Sequence, residues 1–160
     1  MRRLKMAAAG LAALAGALCA SSAALAAEGP YRVFDVSEPQ TTIVDTLSVT
    51  HKGAGGRLRT VEVFKEVQKI EGVDPFFFIV AVEEIDCSGG RLRGTHLAAL
   101  DKAGAQIWDG GESPNAEWEV QEKGTLGAAK IDLVCKGTWP PGGATYATVT
   151  QAREGLYKGY

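Results

Sequence analysis

Three carboxylates, Glu83, Glu84 and Asp86, stand beside Cys87 directly after the apolar run Phe76 to Val82. Paired carboxylates can act as acid and base in glycoside hydrolysis, but only from opposite sides of a cleft. On an extended chain Glu84 and Asp86 share one face and Glu83 takes the other, and the sequence shows no partner opposite. A solvated strand end is the simpler reading. The D-x-D-x-D-G spacing of a Ca²⁺ loop is missing. His96 with Ser88 or Ser113 and an Asp makes a nominal triad, but no G-x-S-x-G or similar nucleophile context accompanies it. His51 sits in a Gly-rich loop and is expected to be exposed. Neither histidine has ligand-like neighbours at zinc spacing, and there is no C-x-x-C. No catalytic, cofactor-binding or metal-binding residue is therefore nominated. Trp108, Trp118 and Trp139 could stack on a sugar or peptide. Trp108 and Trp118 read as core or rim. Trp139, just before Pro140-Pro141-Gly142-Gly143, is the candidate for an exposed recognition residue, or else a pin for the tail. Trp139, Arg91, Arg93, Glu84 and Asp86 make up the candidate binding surface.

The chain opens on Arg2, Arg3 and Lys5, an Ala/Leu/Gly stretch from Met6 to Leu18, and Ala24-Leu25-Ala26. This is the layout of a signal peptide over residues 1–26, cleaved before Ala27. A membrane anchor and a lipidated Cys19 compete for the same residues. The Ala, Gly and Ser content argues against the anchor. Leu18 and Gly16 are not the small residue and the Leu that a lipobox places before its Cys. Of the 17 Lys and Arg, three lie in the leader, leaving 14 against 19 Asp and Glu, a net charge of −5. A mildly acidic chain has no electrostatic reason to seek nucleic acid or anionic lipid. Arg57/Arg59 and Arg91/Arg93 read as alternating charges on a solvated strand face. Cleavage removes Cys19 and leaves Cys87 and Cys135, most simply one disulfide in an exported domain. No transmembrane segment is expected after cleavage.

About 130 residues then remain, enough for one domain with a single core. Tyr31 to Val36 is a short apolar segment, and Thr41 to Val49 is a β-branched strand. Residues 51–56 read as a Gly-rich hairpin loop, with neither phosphate-loop pattern present. Arg57 to Gln68 is a strand with Val61, Val63 and Val67 on one face, although Val61 to Ile70 has some helical character. A turn over residues 71–75 leads to the strand Phe76 to Cys87, apolar on both faces in its early half as in a strand covered twice. Cys87 shares its face with Phe77, Ile79, Ala81 and Ile85, so whatever carries Cys135 must pack there. Ser88-Gly89-Gly90 turns the chain into the strand Arg91 to Asp101. Asp101-Lys102-Ala103-Gly104 turns it again, into a strand over residues 105–109. For Thr125 to Cys135 the local signals are even. Ile131, Leu133 and Cys135 alternate as in a strand, while Thr125, Lys136 and Gly137 are placed as helix caps. Residues 138–160 read as a Pro/Gly-rich linker and tail whose start could add an edge strand and whose end, from Ala152, is expected to be mobile. The terminal Tyr160 lacks the preceding apolar alternation of an outer-membrane barrel strand.

From about Val44 to Cys135 the chain resembles the surface-adhesin protein E family of exported Gram-negative proteins. The resembling residues are Val44-Asp45-Thr46 with Ser48, then Ile85-Asp86-Cys87 followed by Arg91 and Arg93. Asp101-Lys102-Ala103-Gly104, Trp118 and the small-residue segment ending in Cys135 come next, in the family's order. The resemblance implies an α+β domain over residues 27–137. It would be a single antiparallel sheet of about six strands, with one C-terminal helix, at about Thr125 to Val134, laid on a face and tied by Cys87–Cys135. It implies a non-enzymatic, adhesin-like binding module with a protein partner, in the periplasm or at the outer cell surface of a Gram-negative bacterium. A small periplasmic hydrolase, an inhibitor of an envelope enzyme and a purely structural envelope protein are the alternatives. Non-reducing peptide mapping of the exported protein is expected to link Cys87 to Cys135. Replacing both by Ala is expected to cost about 4 kcal/mol of unfolding free energy, the chain-entropy value for a loop of this length. Two free thiols in protein from an oxidising compartment would contradict this layout.

Overall fold

The computed structural model describes residues 28–158. Nine strands form one antiparallel sheet. In chain order they are β1 Glu28–Ser37, β2 Gln40–Asp45, β3 Thr50–Lys52, β4 Gly55–Ile70, β5 Val73–Asp86, β6 Arg91–Leu100, β7 Gln106–Glu112, β8 Glu119–Val120 and β9 Thr145–Thr148. Helix α1, Leu126–Lys136, precedes β9, and α2, Val149–Leu156, follows it. The order across the sheet is β7-β6-β5-β4-β2-β1-β9, with β3 on β4 and β8 on β6. The expected α+β class, the single antiparallel sheet and the disulfide-tied helix are all present, while the expected six strands become nine and a second helix is added.

Two apolar clusters lie on opposite faces, as the alternation of side chains along a strand requires. Val33, Ile43, Val61, Val63, Phe78 and Val80 build one with Tyr31, and α2 covers it through Val149 and Ala152. Phe34, Val44, Leu58, Ile85 and Leu92 build the other, and α1 covers it through Ile131, Leu133 and Val134. The helices sit at opposite ends of the sheet. α1 lies where β5 ends and β6 begins, fastened by Cys87–Cys135. α2 lies over the Phe78 end, where Arg153 donates from Nε to Phe64 O at 3.1 Å and from Nη2 to Lys65 O at 2.8 Å. Each face therefore has one covered half and one open half, on diagonally opposed quadrants.

The ambiguous segment is helical because both ends are capped. Thr125 Oγ1 accepts from Ala128 N at 3.1 Å, and Gly137 takes the left-handed conformation, φ 68°, that closes a helix. The helix approaches the sheet closely over Gly56, where a Cβ would stand 2.1 Å from Thr50 O and 2.5 Å from Val134 Cγ1. Gly53 lies in the turn as read, with φ 61°, whereas Gly55 and Gly56 belong to β4, where Gly56 is needed for contact between layers.

Four other expectations change. Residues 145–148 form the edge strand that the start of the tail could add, but Val149–Leu156 is a helix with Val149 and Ala152 buried in the core, where a mobile end was expected from Ala152. A register shift between Val63 and Gln68 breaks the alternation of β4 and leaves Val67 exposed. The floor beneath α1 is Ile85 with Leu58 and Leu92, whereas Phe77 packs with the cluster under α2. Glu83 is not solvated. It accepts from Lys130 Nζ at 3.0 and 2.9 Å and from Thr60 Oγ1 at 3.3 Å, with both charged side chains only 9% exposed. Breaking a buried pair on one side leaves an uncompensated charge. Glu83→Leu and Lys130→Met are each expected to cost about 3 kcal/mol or more in urea unfolding, while the double variant recovers most of that loss. Simply additive losses would show that the two charges are not coupled.

Candidate functional site

The open half of the α2 face is a charged surface built by cross-strand pairing. Arg93 stands opposite Glu84, and Arg91 opposite Asp86, in the β5–β6 register. Both Arg93 Nε and Nη2 donate to Glu84 Oε2, at 2.9 and 2.7 Å, and Nη1 donates to Pro114 O at 3.1 Å. Arg91 Nε donates to Asp86 Oδ2 at 2.8 Å. The Trp118 ring lies against both guanidinium groups, 4.7 Å from Arg93 Cζ and 5.3 Å from Arg91 Cζ. Arg93 is thus held between a carboxylate and an indole, and Trp118 is half-buried at the rim.

Asp86 also orders the turn that follows it. Its Oδ1 accepts from Ser88 Oγ at 2.6 Å, Ser88 N at 3.0 Å and Gly89 N at 3.1 Å. The Ser88 hydroxyl, the Arg91 guanidinium and the backbone N–H of Gly89 hold its carboxyl far below the usual carboxylate range. Asp109 is lowered as well, first by the Gly111 N–H, and it accepts from His96 Nε2 at 2.8 Å. On the α1 face Glu62 behaves oppositely. Burial pushes its carboxyl up, against the lowering effect of the Thr42 hydroxyl, which donates to it at 3.0 Å.

Of the five residues of the sequence-derived surface, four come together, joined by Trp118. Trp139 stands apart, on the α1 side with Phe34, edge to face at 6.3 Å and 74°. Arg32 Cζ lies 4.9 Å from its ring centroid and Arg32 Nη2 donates to Gly142 O at 2.9 Å, so this group ties residues 139–142 to β1. Of the nominal triad, His96 bonds to Asp109, but the Ser88 hydroxyl donates to Asp86, and no hydrogen bond from Ser113 to His96 is among the described contacts. His51 is exposed, with Nδ1 3.2 Å from Val134 O. Among the described residues no group of three or more His, Cys, Asp or Glu is placed to hold a metal ion, and no helix is long and apolar enough to cross a membrane. Sequence reasoning missed the buried pair. Its signal was parity: Glu83 shares the face of Ile85 and Cys87, and helical spacing sets Lys130 beside Leu133 and Val134.

The fold and its fastening define the class: a small α+β domain whose antiparallel sheet is bonded to its covering helix by one disulfide. Residues 32–136 match the family model of surface-adhesin protein E. The chain belongs to that family, and membership implies an exported, surface-associated protein. Comparison with curated proteins and with solved structures gave no match. The signal peptide expected over residues 1–26 lies outside the described residues.

The Asp86 network sets an acid limit on stability. A lowered folded pKa contributes stability that is present above the ordinary value of 3.8 and is lost as pH falls toward the folded value. Asp86→Asn is therefore expected to lower Tm by a constant amount near neutral pH and by a shrinking amount below about pH 4 in a thermal series. A difference that persists undiminished at pH 2 would show that the charge of Asp86 is not what stabilises the turn.

Proposed function

We propose that the protein is a non-enzymatic binding module that contacts protein partners at the envelope or cell surface through the open half of the α2 face. Its contact residues are Arg91, Arg93, Glu84, Asp86 and Trp118. The observation that carries this reading is Arg93 fixed between Glu84 and the Trp118 ring. Arg and Trp dominate the binding energy of many protein interfaces, and a guanidinium already locked in one rotamer loses little freedom on binding. Membership of an adhesin family supports the same reading.

The hydrolase alternative is not favoured by the geometry. It needs a proton donor and a base facing one cleft. Glu83 is closed against Lys130 on the α1 face, Glu84 and Asp86 are engaged on the α2 face, and His96 is taken by Asp109. A carboxyl held as low as that of Asp86 stays ionised and cannot serve as an acid.

The test is binding of the exported protein to a panel of extracellular-matrix and plasma proteins, together with capture from envelope extract and identification of what is retained. A specific partner is expected. Trp118→Ala and Arg93→Glu are expected to weaken it about tenfold or more while the circular dichroism spectrum is unchanged. Undiminished binding in both variants would remove this surface from the reading. Failure to retain any partner would remove the reading itself.

A further inference from the structure

A second recess lies on the same face, nearer β1, and meets the Arg93–Glu84 pair at Arg57, which borders both. It is a cleft of about 410 Å³ bordered by Asp45, Leu47, Ser48, Arg57, Arg59 and Val82. One wall is rigid. Arg59 Nη2 donates to Asp45 Oδ2, Leu47 N donates to Asp45 Oδ1 at 3.0 Å, and Arg59 N donates to Ser48 Oγ at 2.7 Å. The Arg59 Nε is buried and has no acceptor.

Arg57 is the unbalanced group. It is exposed, and its side chain has no ion pair or hydrogen bond among the described residues. Its direct neighbour across the β4–β5 register is Glu84, whose Oε2 accepts from Arg93 and which has no hydrogen bond to Arg57 among the described contacts. Asp45, the acid of the cleft, is taken by Arg59. Two arginines and one aspartate therefore border the cleft, leaving one positive charge unmatched. Beside it Leu47 is 77% exposed, and Val82, which is largely buried, borders the same cleft.

We propose that this cleft binds a carboxylate carried on a short aliphatic body. The Arg57 fork takes the two carboxylate oxygens, a geometry that guanidinium groups match well. Leu47 and Val82 receive the aliphatic part. One unmatched positive charge fits a monoanion, whereas a dianionic phosphate would set its second charge against Asp45. The volume is at the small end of the ligand-pocket range, about 300–1,000 Å³, which suits a single residue or a short acid. Two sources carry this chemistry, the C-terminus of a polypeptide and a free short-chain acid.

The experiment is an amide NMR titration of the exported protein with N-acetyl-leucine, with hexanoate, and with N-acetyl-leucinamide as the uncharged control. Saturable shifts at Leu47, Ser48, Arg57 and Arg59 are expected with the acids and not with the amide. Tighter binding of N-acetyl-leucine assigns the cleft to chain termini, and tighter binding of hexanoate assigns it to free acids. Arg57→Ala and Leu47→Asp are each expected to weaken binding about tenfold or more, with Arg57→Lys intermediate and Lys102→Ala unchanged. Both altered residues are exposed, so folding is not at issue. Equal binding of the amide, wild-type affinity in Arg57→Ala, or no saturable shift up to about 50 mM acid would overturn the proposal. Protein binding at Arg93 and Trp118 is tested separately, through Trp118→Ala and Arg93→Glu.

Discussion

The constraint on which the structure depends is that one sheet must be covered on both faces by helices too short to cover either face completely. α1 has 11 residues and α2 has 8. Each screens half a face, and they lie over opposite ends. Strand β5 runs under both, which is why its apolar residues change face along its length. Phe78 and Val80 meet the cluster beneath α2, and Ile85 meets the cluster beneath α1. Each fully buried side chain of this kind contributes about 1.5–3 kcal/mol, so neither cover can be lost without exposing much of the core.

The two helices are fastened differently. α2 is pinned by side chains that reach main-chain carbonyls of β4: Arg153 at Phe64 and Lys65, and Tyr157 at Val63. α1 carries a covalent bond and a buried ion pair, Cys135 to Cys87 and Lys130 to Glu83. The pair fixes where α1 sits along the sheet, since both Glu83 carboxylate oxygens accept from Lys130 Nζ, at 3.0 and 2.9 Å. On the other face of the same strand end, Glu84 and Asp86 are saturated by arginines at the surface. Adjacent carboxylates in one short stretch thus serve opposite layers: Glu83 holds a helix, while its neighbours shape an open surface.

Much of this was legible in the sequence. The β-branched and alternating runs gave β2, β4, β5 and β6, and the cap residues Thr125 and Gly137 marked α1 once the resemblance had decided between helix and strand. The pairing of Cys87 with Cys135 followed from counting cysteines after removal of the leader. What was not legible depends on non-local pairing. β3 and β8 are three and two residues long, too short to carry a periodic signal, and exist through β4 and β6. β9 is the edge strand that the start of the tail could add, but α2 was hidden, because the residues from Ala152 read as a mobile end. The role of Glu83 was hidden because charged residues are so seldom buried. At the candidate site Arg91, Arg93, Glu84 and Asp86 come together with Trp118, while Trp139 packs on Phe34 on the other side of the sheet. The spacing from Arg93 to Trp118 crosses β7, and only the sheet order brings those residues together.

The pairing of β9 with β1 makes the boundary of sequence similarity different from the boundary of the folding unit. The family match ends at residue 136, yet Val149 and Ala152 close the core over Tyr31, Val33 and Val61, and β1 lies between β2 and β9. The first strand of the domain is thus enclosed by the last part of the chain. Without residues 145–156 the half-face under α2 is bare, so that part of the core closes only when they have packed against β1.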